Sequence, residues 1–530
     1  MLIHLYTLVV QRGEVKMNLS SRLHESALAY GDKVAYRFLD QQKTYAELDE
    51  AITKVASALS KLGIQKGDHV ALIIGNSSHF LIGFYGALRV GATIIPINPI
   101  YTSDEMKYIL LDGDVKAVIT LDALVPVMAA MSDSLPNVEH YIICESGLVQ
   151  ERNNVTDLSI MPKLLSFDQL VSLGDDTFEG PVLSEDDVAV ILYTSGTTGK
   201  PKGAMLTHRN IFSNARDIGT YLDFKEDDIV IVTLPMFHVF GLTVAMNAPL
   251  IKGGTIVIVP KFSPAEIFRL TKKYKANVFV GVPTMYNFLL HHDGEQGNLQ
   301  TLRLCISGGS SLPVALLHSF EQKFQVTILE GYGLSEAAPV TCFNGVDKPR
   351  KPGSIGSSIV NVENKVVNER GEELAVGEVG ELIVKGPNVM KGYYKMPKET
   401  ADVIKGEWLY TGDLAKMDED GYFYIVDRKK DTIIVGGYNV YPREVEEVLY
   451  AHPAVVEAAV VGVPDINFGE AVQAFLVLKN QSVSVDEMRQ YCSEHLAKYK
   501  IPTSIEFLEE LPKNTTGKIL RRALREEIKL

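Results

Sequence analysis

Between Tyr193 and Gly203 the chain reads Tyr-Thr-Ser-Gly-Thr-Thr-Gly-Lys-Pro-Lys-Gly, which places three glycines, four aliphatic hydroxyls and two lysines within eleven residues. Glycines let backbone N–H groups approach anionic oxygens, hydroxyls donate directed hydrogen bonds, and lysines neutralise charge. The composition is that of a loop able to wrap phosphates, with a plain polar turn as the alternative. It is not a P-loop of the Gly-x-x-x-x-Gly-Lys-[Ser/Thr] type, because Pro201 stands where the hydroxyl is needed and removes a backbone donor.

Four further positions carry chemistry only if such a loop is nearby. Glu336 follows a glycine-rich stretch, and a lone carboxylate beside phosphates suits Mg2+, which keeps waters and takes one or two protein carboxylates. A surface ion pair is the alternative for Glu336. Tyr332, between Gly331 and Gly333, offers a ring for a base or is a core tyrosine. Asp413 follows Gly412 and could accept both hydroxyls of a ribose or stabilise its own turn. Lys518 precedes a basic C-terminal segment, where a solvated charge is the ordinary reading.

These residues fall in ordered segments: Tyr193 to Gly203, Leu234-Pro-Met-Phe-His-Val-Phe-Gly241, Glu330-Gly-Tyr-Gly-Leu-Ser-Glu336, Tyr410-Thr-Gly-Asp413, Asp427-Arg-Lys-Lys-Asp431 and Pro512-Lys-Asn-Thr-Thr-Gly-Lys518. Together they resemble the adenylate-forming superfamily of acyl-CoA synthetases, peptide-synthetase adenylation domains and luciferases, over essentially residues 18–530. Whole-chain similarity is greatest to bacterial long-chain fatty-acid CoA ligases, including Lys385-Gly-Pro-Asn-Val-Met-Lys-Gly-Tyr393. The resemblance implies a two-step reaction: a fatty acid and ATP give acyl-AMP and pyrophosphate, then coenzyme A gives acyl-CoA and AMP. Medium-chain or aryl acid CoA ligases, a free-standing adenylation enzyme that loads a carrier protein, and a non-catalytic acyl-nucleotide binder are the competing readings. Retention of Thr194, Glu336, Asp413 and Lys518 speaks against the last.

The resemblance also implies roles. ATP and AMP would be held by Thr194, Ser195, Gly196, Thr197, Thr198, Gly199, Lys200, Lys202, Gly308, Gly309, Glu330, Gly331, Tyr332, Ser335, Asp413 and Arg428, and Mg2+ by Thr194 and Glu336. Lys518 would serve catalysis, since a cation lowers the barrier when a carboxylate meets the anionic α-phosphate. Lys430 would be the hinge, with Gly436, Gly437, Tyr438 and Asn439 in the pantetheine channel or in a plain β-turn. No nucleotide contact is carried to Ile434, where some relatives have a lysine.

His238, the second catalytic candidate, stands where amino-acid-activating relatives usually carry an aspartate, which points to an acid without an α-amino group. A core histidine is its alternative. Val239, Phe240, Leu242, Val282 and Gly308, with Phe237, Met285 and Tyr286, could line an acyl tunnel or simply be core. Some fatty-acid ligases place a tryptophan near Leu242, and the single tryptophan here is Trp408, so chain length stays open.

The elements that must position these groups read as α/β. Thr44 and Glu47 make a capping box, and Leu48, Ile52, Val55, Ala56, Leu59 and Leu62 trace one helical face up to Gly63. Short apolar strands at 69–75, 92–96, 117–120, 188–193, 229–234, 255–259, 276–282, 302–307 and 326–329 alternate with helices, several ending in Gly- or Ser-rich turns. Ligands in open α/β sheets bind beyond such strand ends. After Pro352 the segments 380–384 and 422–426 read as antiparallel hairpins. Pro442 opens a helix, and Ile519, Leu520, Ala523, Leu524 and Ile528 mark one face of a last one. The expected architecture is a large N-terminal domain, 17–427, of two α/β subdomains and a small β-barrel-like lobe, followed by a mobile α+β domain, 428–530.

Composition bounds the rest. The chain has 530 residues, 46% hydrophobic and 22% charged, and a net charge of -14, which argues against a general nucleic-acid binder. Mean hydropathy is +0.06, and no uncharged apolar run is long enough to span a bilayer, so peripheral membrane contact is the most that is expected. The partners expected are small molecules, and a homodimer is compatible with the sequence. Cys144, Cys305, Cys342 and Cys492 lack Cys-x-x-Cys spacing and fit buried thiols of a reducing cytosol. Leu2 to Val10 lacks the basic flank of a signal peptide, and residues 1–16 read as a disordered extension or start-site artefact before Met17.

Overall fold

The computed structural model describes residues 18–145, 164–194, 201–292, 299–479, 483–514 and 517–527. The chain divides into two compact units. One comprises Met1–Lys261, Ser335–Pro339 and Pro387–Asp402; the other comprises Phe262–Leu334, Val340–Gly386 and Val403–Leu530.

The first unit is built on an eight-stranded sheet in the order Gly392–Tyr393, Lys202–Thr207, Val188–Thr194, Thr93–Pro96, His69–Ile73, Val115–Leu121, His140–Cys144 and Leu164–Ser166. From Val188–Thr194 outward to Leu164–Ser166 the pairing is parallel. Its central strands are buried along almost their whole length, which is why they read as continuous apolar runs instead of alternating ones. Lys202–Thr207 returns antiparallel to Val188–Thr194, with Thr194 opposite Lys202, so the phosphate-loop candidate is framed by two paired strands. A further group of strands runs Ile229–Val232, Thr255–Ile258, Val34–Phe38 and Gln41–Thr44, parallel except for the last pair. The helix Tyr45–Lys61 starts at the expected Thr44–Glu47 capping box, with Leu48, Ile52, Val55, Ala56 and Leu59 buried.

The second unit contains parallel strands Val278–Gly281, Leu304–Ser307 and Ile328–Gly333, extended antiparallel by Val340–Phe343 and Ser357–Ser358. A five-stranded antiparallel sheet follows, from Glu363–Val367, Gly380–Lys385, Trp408–Met417, Ile404–Lys405 and Phe423–Arg428. Cys342, Ile355, Val366, Leu382, Ala415 and Phe423 form its core. Residues beyond it make a sheet of Tyr438–Val440, Ile433–Val435, Gly469–Leu478, Val455–Asp465 and Ser504–Phe507 under the helices Pro442–Tyr450 and Val485–His495. Pro442 occupies the first turn of its helix, where its missing N–H costs nothing. This mixed architecture is the expected α/β class with a smaller α+β C-terminal portion.

One element departs from expectation. The last helix spans Arg521–Glu527, so Ile519 and Leu520 precede it and Ile528 lies outside the described residues. Ile519 instead bridges to Lys513, closing the turn that carries Lys518, while Leu524 packs on Ala459, Val461, Phe475 and Leu511. The extended pairing overrides the helical stripe. All four cysteines are free and buried. Among the described residues no helix is long and apolar enough to cross a membrane.

Candidate active site

In the first unit the strands that frame the phosphate-loop candidate are anchored from both sides. Tyr193 donates to the Asp112 carboxylate at 2.6 Å, and burial and that carboxylate push its pKa up. Thr194 Oγ1 lies 3.5 Å from the Lys202 carbonyl, and Tyr394 N–H donates to the Gly203 carbonyl at 2.8 Å. Ser195, Gly196, Thr197, Thr198, Gly199 and Lys200 lie outside the described residues. The Lys202 ammonium sits 5.2 Å from the ring centroid of Tyr393. Glu336 lies in a short turn, Ser335–Ala337, that packs against the strand Lys202–Thr207. Its backbone carbonyl accepts from Met390 N–H at 2.8 Å, and its carboxylate accepts from the Tyr393 hydroxyl at 2.9 Å. Glu336 and Ser335 are half-buried. Among the described residues no cluster of three or more His, Cys, Asp or Glu could hold a metal. A single carboxylate with one oxygen engaged fits a cation such as Mg2+, which draws the rest of its shell from phosphates and water.

His238 is half-buried in a tight turn whose geometry follows from Gly241, since a Cβ there would meet the Pro235 carbonyl at 2.2 Å. The His238 Nδ1 accepts from Phe240 N–H at 3.4 Å. Val239, Phe240 and Leu242 are buried. A π-helix, Gly241–Asn247, follows, and Asn247 donates to the Leu242 carbonyl at 2.7 Å to satisfy a carbonyl inside the widened turn. Sequence reading missed it, because no local pattern announces i→i+5 bonding, yet such turns concentrate at functional sites.

In the second unit Asp413 is the hub. It is buried opposite Arg428 on the neighbouring strand, with Arg428 Nε 3.4 Å from one carboxylate oxygen and the Tyr332 hydroxyl donating to the other. The Tyr332 ring is half-buried against the small β core, and burial and Asp413 push its hydroxyl pKa well up. Lys518 is half-buried within electrostatic reach of Asp413, Arg428, Lys430 and Arg521. Burial first, then the cation of Arg428, pull its pKa down to about 8, against the pull of Asp413. Its backbone N–H is held by Asn514 Oδ1 at 2.9 Å, and its ammonium donates no hydrogen bond among the described residues.

Gly308 is buried and Gly309 exposed at φ +82, beside Val282, which is itself buried with Met285 and Tyr286. The Tyr286 hydroxyl donates to the Ile306 carbonyl at 2.9 Å, which makes it a structural tyrosine. Gly331 is required by packing, since a Cβ there would fall 1.9 Å from the Phe343 ring. Gly436 and Gly437, at φ +57 and +87, form the two-residue turn of the hairpin Ile433–Val435 and Tyr438–Val440, so the plain-turn reading describes their backbone. Tyr438 and Asn439 are exposed, with Tyr438 stacked on Tyr499, and Lys430 is exposed in the short turn Lys429–Asp431.

The Glu330 side chain is turned into the protein core. It is 2% exposed, its Oε1 accepts from Leu312 N–H at 2.9 Å, and its Oε2 has no hydrogen-bond partner among the described residues. Burial raises its pKa to about 7, with Arg443 opposing and Glu447 assisting. A folded-state pKa above the ordinary carboxylate value gives a contribution that is complete at low pH and lost as pH rises through about 7. At ~1.4 kcal/mol per unit this amounts to about 3 kcal/mol. Glu330→Gln, which keeps an acceptor for Leu312, is expected to flatten the fall in stability between about pH 4.5 and pH 7. Melting curves across that range check it, and an unchanged slope would refute it.

Comparison with known proteins shows what the chain is similar to. The AMP-binding enzyme model matches residues 23–394, and the AMP-binding enzyme C-terminal domain model matches residues 444–518. Long-chain-fatty-acid–CoA ligases of Bacillus subtilis and Salmonella typhimurium are 42% and 36% identical, each alignment covering 96% of this chain and 94% of the relative. ATP-bound MatB from Rhodopseudomonas palustris superimposes with a TM-score of 0.88 at 34% identity, covering 97% of this chain and 99% of that one. The anthranilate CoA ligase AuaEII in complex with anthranoyl-AMP gives a TM-score of 0.90 at 30% identity, covering 98% of both chains. With the two models matched over residues 23–394 and 444–518, the chain belongs to the AMP-binding enzyme family.

Proposed function

We propose that the protein is an AMP-forming fatty-acid CoA ligase with long-chain substrates. The carboxylate oxygen of the fatty acid attacks the α-phosphorus of ATP and pyrophosphate leaves; the thiolate of coenzyme A then attacks the acyl carbonyl and AMP leaves. The observation that carries the reading is Lys518, a half-buried ammonium that donates no hydrogen bond among the described residues and lies within electrostatic reach of Asp413 and Arg428. An ammonium kept out of bulk water interacts strongly with charge that develops on a pentacoordinate phosphate and on the entering carboxylate.

The remaining roles follow from the same chemistry. Asp413 accepts the ribose hydroxyls, Arg428 adds a second contact, Tyr332 and the Gly308–Gly309 turn border the base, and Thr194, Ser335 and the phosphate loop from Ser195 to Lys202 handle the phosphates. Mg2+ would be held by Glu336 with Thr194, where it would neutralise phosphate charge. His238, Val239, Phe240, Leu242 and Val282 border the acyl chain. For the second half reaction, residues 428–530 reorient about Lys430 and the Gly436–Asn439 hairpin lines the path of pantetheine. The long-chain preference is supported by the curated relatives, which carry that name at 36–42% identity.

AMP release measured over a panel of straight-chain and aryl acids, with and without coenzyme A, tests the proposal. Turnover that requires coenzyme A and peaks with long acyl chains is expected. Turnover confined to aryl acids, or AMP formation indifferent to coenzyme A, would replace it with one of the other readings.

A further inference from the structure

We infer that Tyr393 is a positioning residue for the metal-binding carboxylate: its hydroxyl holds one oxygen of Glu336 so that the other is presented to a divalent cation, while its ring seats the ammonium of Lys202. The inference rests on the proposed role of Glu336 and deepens it.

Three observations support it. The Tyr393 hydroxyl donates to Glu336 Oε1 at 2.9 Å, and Tyr393 as a whole is only 8% exposed. Tyr393 is itself fixed on both sides, since its backbone pairs with Ala204 of the strand leaving the phosphate loop and its N–H donates to Thr400 Oγ1 at 2.8 Å. Gly392 permits that contact, because at φ +140 it adopts a backbone disfavoured for other residues and a Cβ would lie 2.7 Å from Thr400 Cγ2. Finally, Lys202 stands 5.2 Å over the same ring, so one aromatic side chain orders both an anion and a cation of the site.

The physical benefit is preorganisation. A half-buried glutamate left alone samples several rotamers, and freezing them when metal arrives costs binding energy. A neutral donor on one oxygen removes that freedom beforehand without consuming the second oxygen. The adjacent Tyr394 donates instead to Asp114 at 2.7 Å and provides an internal control.

The test is Mn2+ affinity of the full chain in complex with a non-hydrolysable ATP analogue, read by electron paramagnetic resonance, for wild type, Tyr393→Phe, Glu336→Gln and Tyr394→Phe. Tyr393→Phe is expected to weaken Mn2+ binding by about 10-fold and Glu336→Gln by up to about 100-fold. Tyr394→Phe should stay near wild type. Excess Mn2+ should restore turnover in Tyr393→Phe, which a general folding defect would not allow. If Glu336→Gln weakens Mn2+ while Tyr393→Phe binds it normally, the positioning role is wrong although the carboxylate's role stands. If Glu336→Gln binds Mn2+ as tightly as wild type, the underlying assignment of the metal falls as well.

Discussion

Lys518→Ala is expected to lower pyrophosphate–ATP exchange by about 100- to 1000-fold, the range found when a preorganised electrostatic contact to developing charge is deleted. Thioester formation from preformed acyl-AMP should lose far less, because in the proposed reorientation about Lys430 that step is served by a different surface of residues 428–530. The pKa of Lys518 supplies a second signature. The active form is the ammonium, and in the free enzyme it is lost as pH rises through about 8, so kcat/KM for adenylation should fall on the alkaline side. Bound ATP adds negative charge beside the ammonium and favours it, so the corresponding limb of kcat should lie at higher pH. The alanine variant should lack this limb altogether. Exchange at the wild-type rate in Lys518→Ala would sink the assignment of the reaction.

Arg521→Gln is expected to destabilise the C-terminal portion by about 3 kcal/mol. Arg521 Nη2 lies 2.8 Å from both oxygens of Glu446, and Nη1 lies 3.7 Å from Asp427 and 3.8 Å from Asp431. The Asp427 carboxylate is 2% exposed, already pushed up by burial, and accepts from the backbone N–H groups of Arg443 and Arg428. Without the guanidinium it remains buried and negative. Arg525, 3.0 Å from Asp431, retains part of the compensation and keeps the expected loss at the low end for a broken buried network. The sign with pH is fixed: a carboxylate whose folded pKa exceeds its unfolded value stabilises at low pH and loses that contribution as pH rises. The deficit of the variant should therefore shrink on acidification. Hydrogen exchange along the strand Val455–Asp465 measures it, and a deficit independent of pH would contradict the network's role.

What could be read without coordinates was whatever depends on near neighbours in the chain. The Thr44–Glu47 capping box, the start of a helix at Pro442 and the buried strand Val188–Thr194 each follow from a handful of adjacent side chains. The segments carrying Asp413 and Lys518 were equally visible, but their environment was not. Asp413 meets Tyr332 from a strand 81 residues earlier, and Glu336 meets Tyr393 across 57 residues, so no local window of sequence contains either pair. Glu330 looked like a ligand because it sits in a ligand-bearing segment; strand direction turns its side chain toward Leu312. The final helix was misplaced because a bridge between Lys513 and Ile519 competes with helical periodicity, and pairing across a loop leaves no periodic trace.

The turn that delivers Lys518 rests on the turn that begins with Val282. Gly517 sits at φ +80, and a Cβ there would come within 2.5 Å of Thr284 Oγ1 and 3.3 Å of Val282 Cγ2. The side chains of Val282 and Thr284 and the backbone that carries the Lys518 ammonium thus share one wall. Substitutions made at Val282 or Thr284 to alter which acids are accepted will shift the lysine as well, and their effects will not add to those of changes at Gly517. Under the proposed roles of Val282 and Lys518, acyl preference and adenylation rate should behave as epistatic traits, and directed evolution of one should recover compensating changes at Gly517.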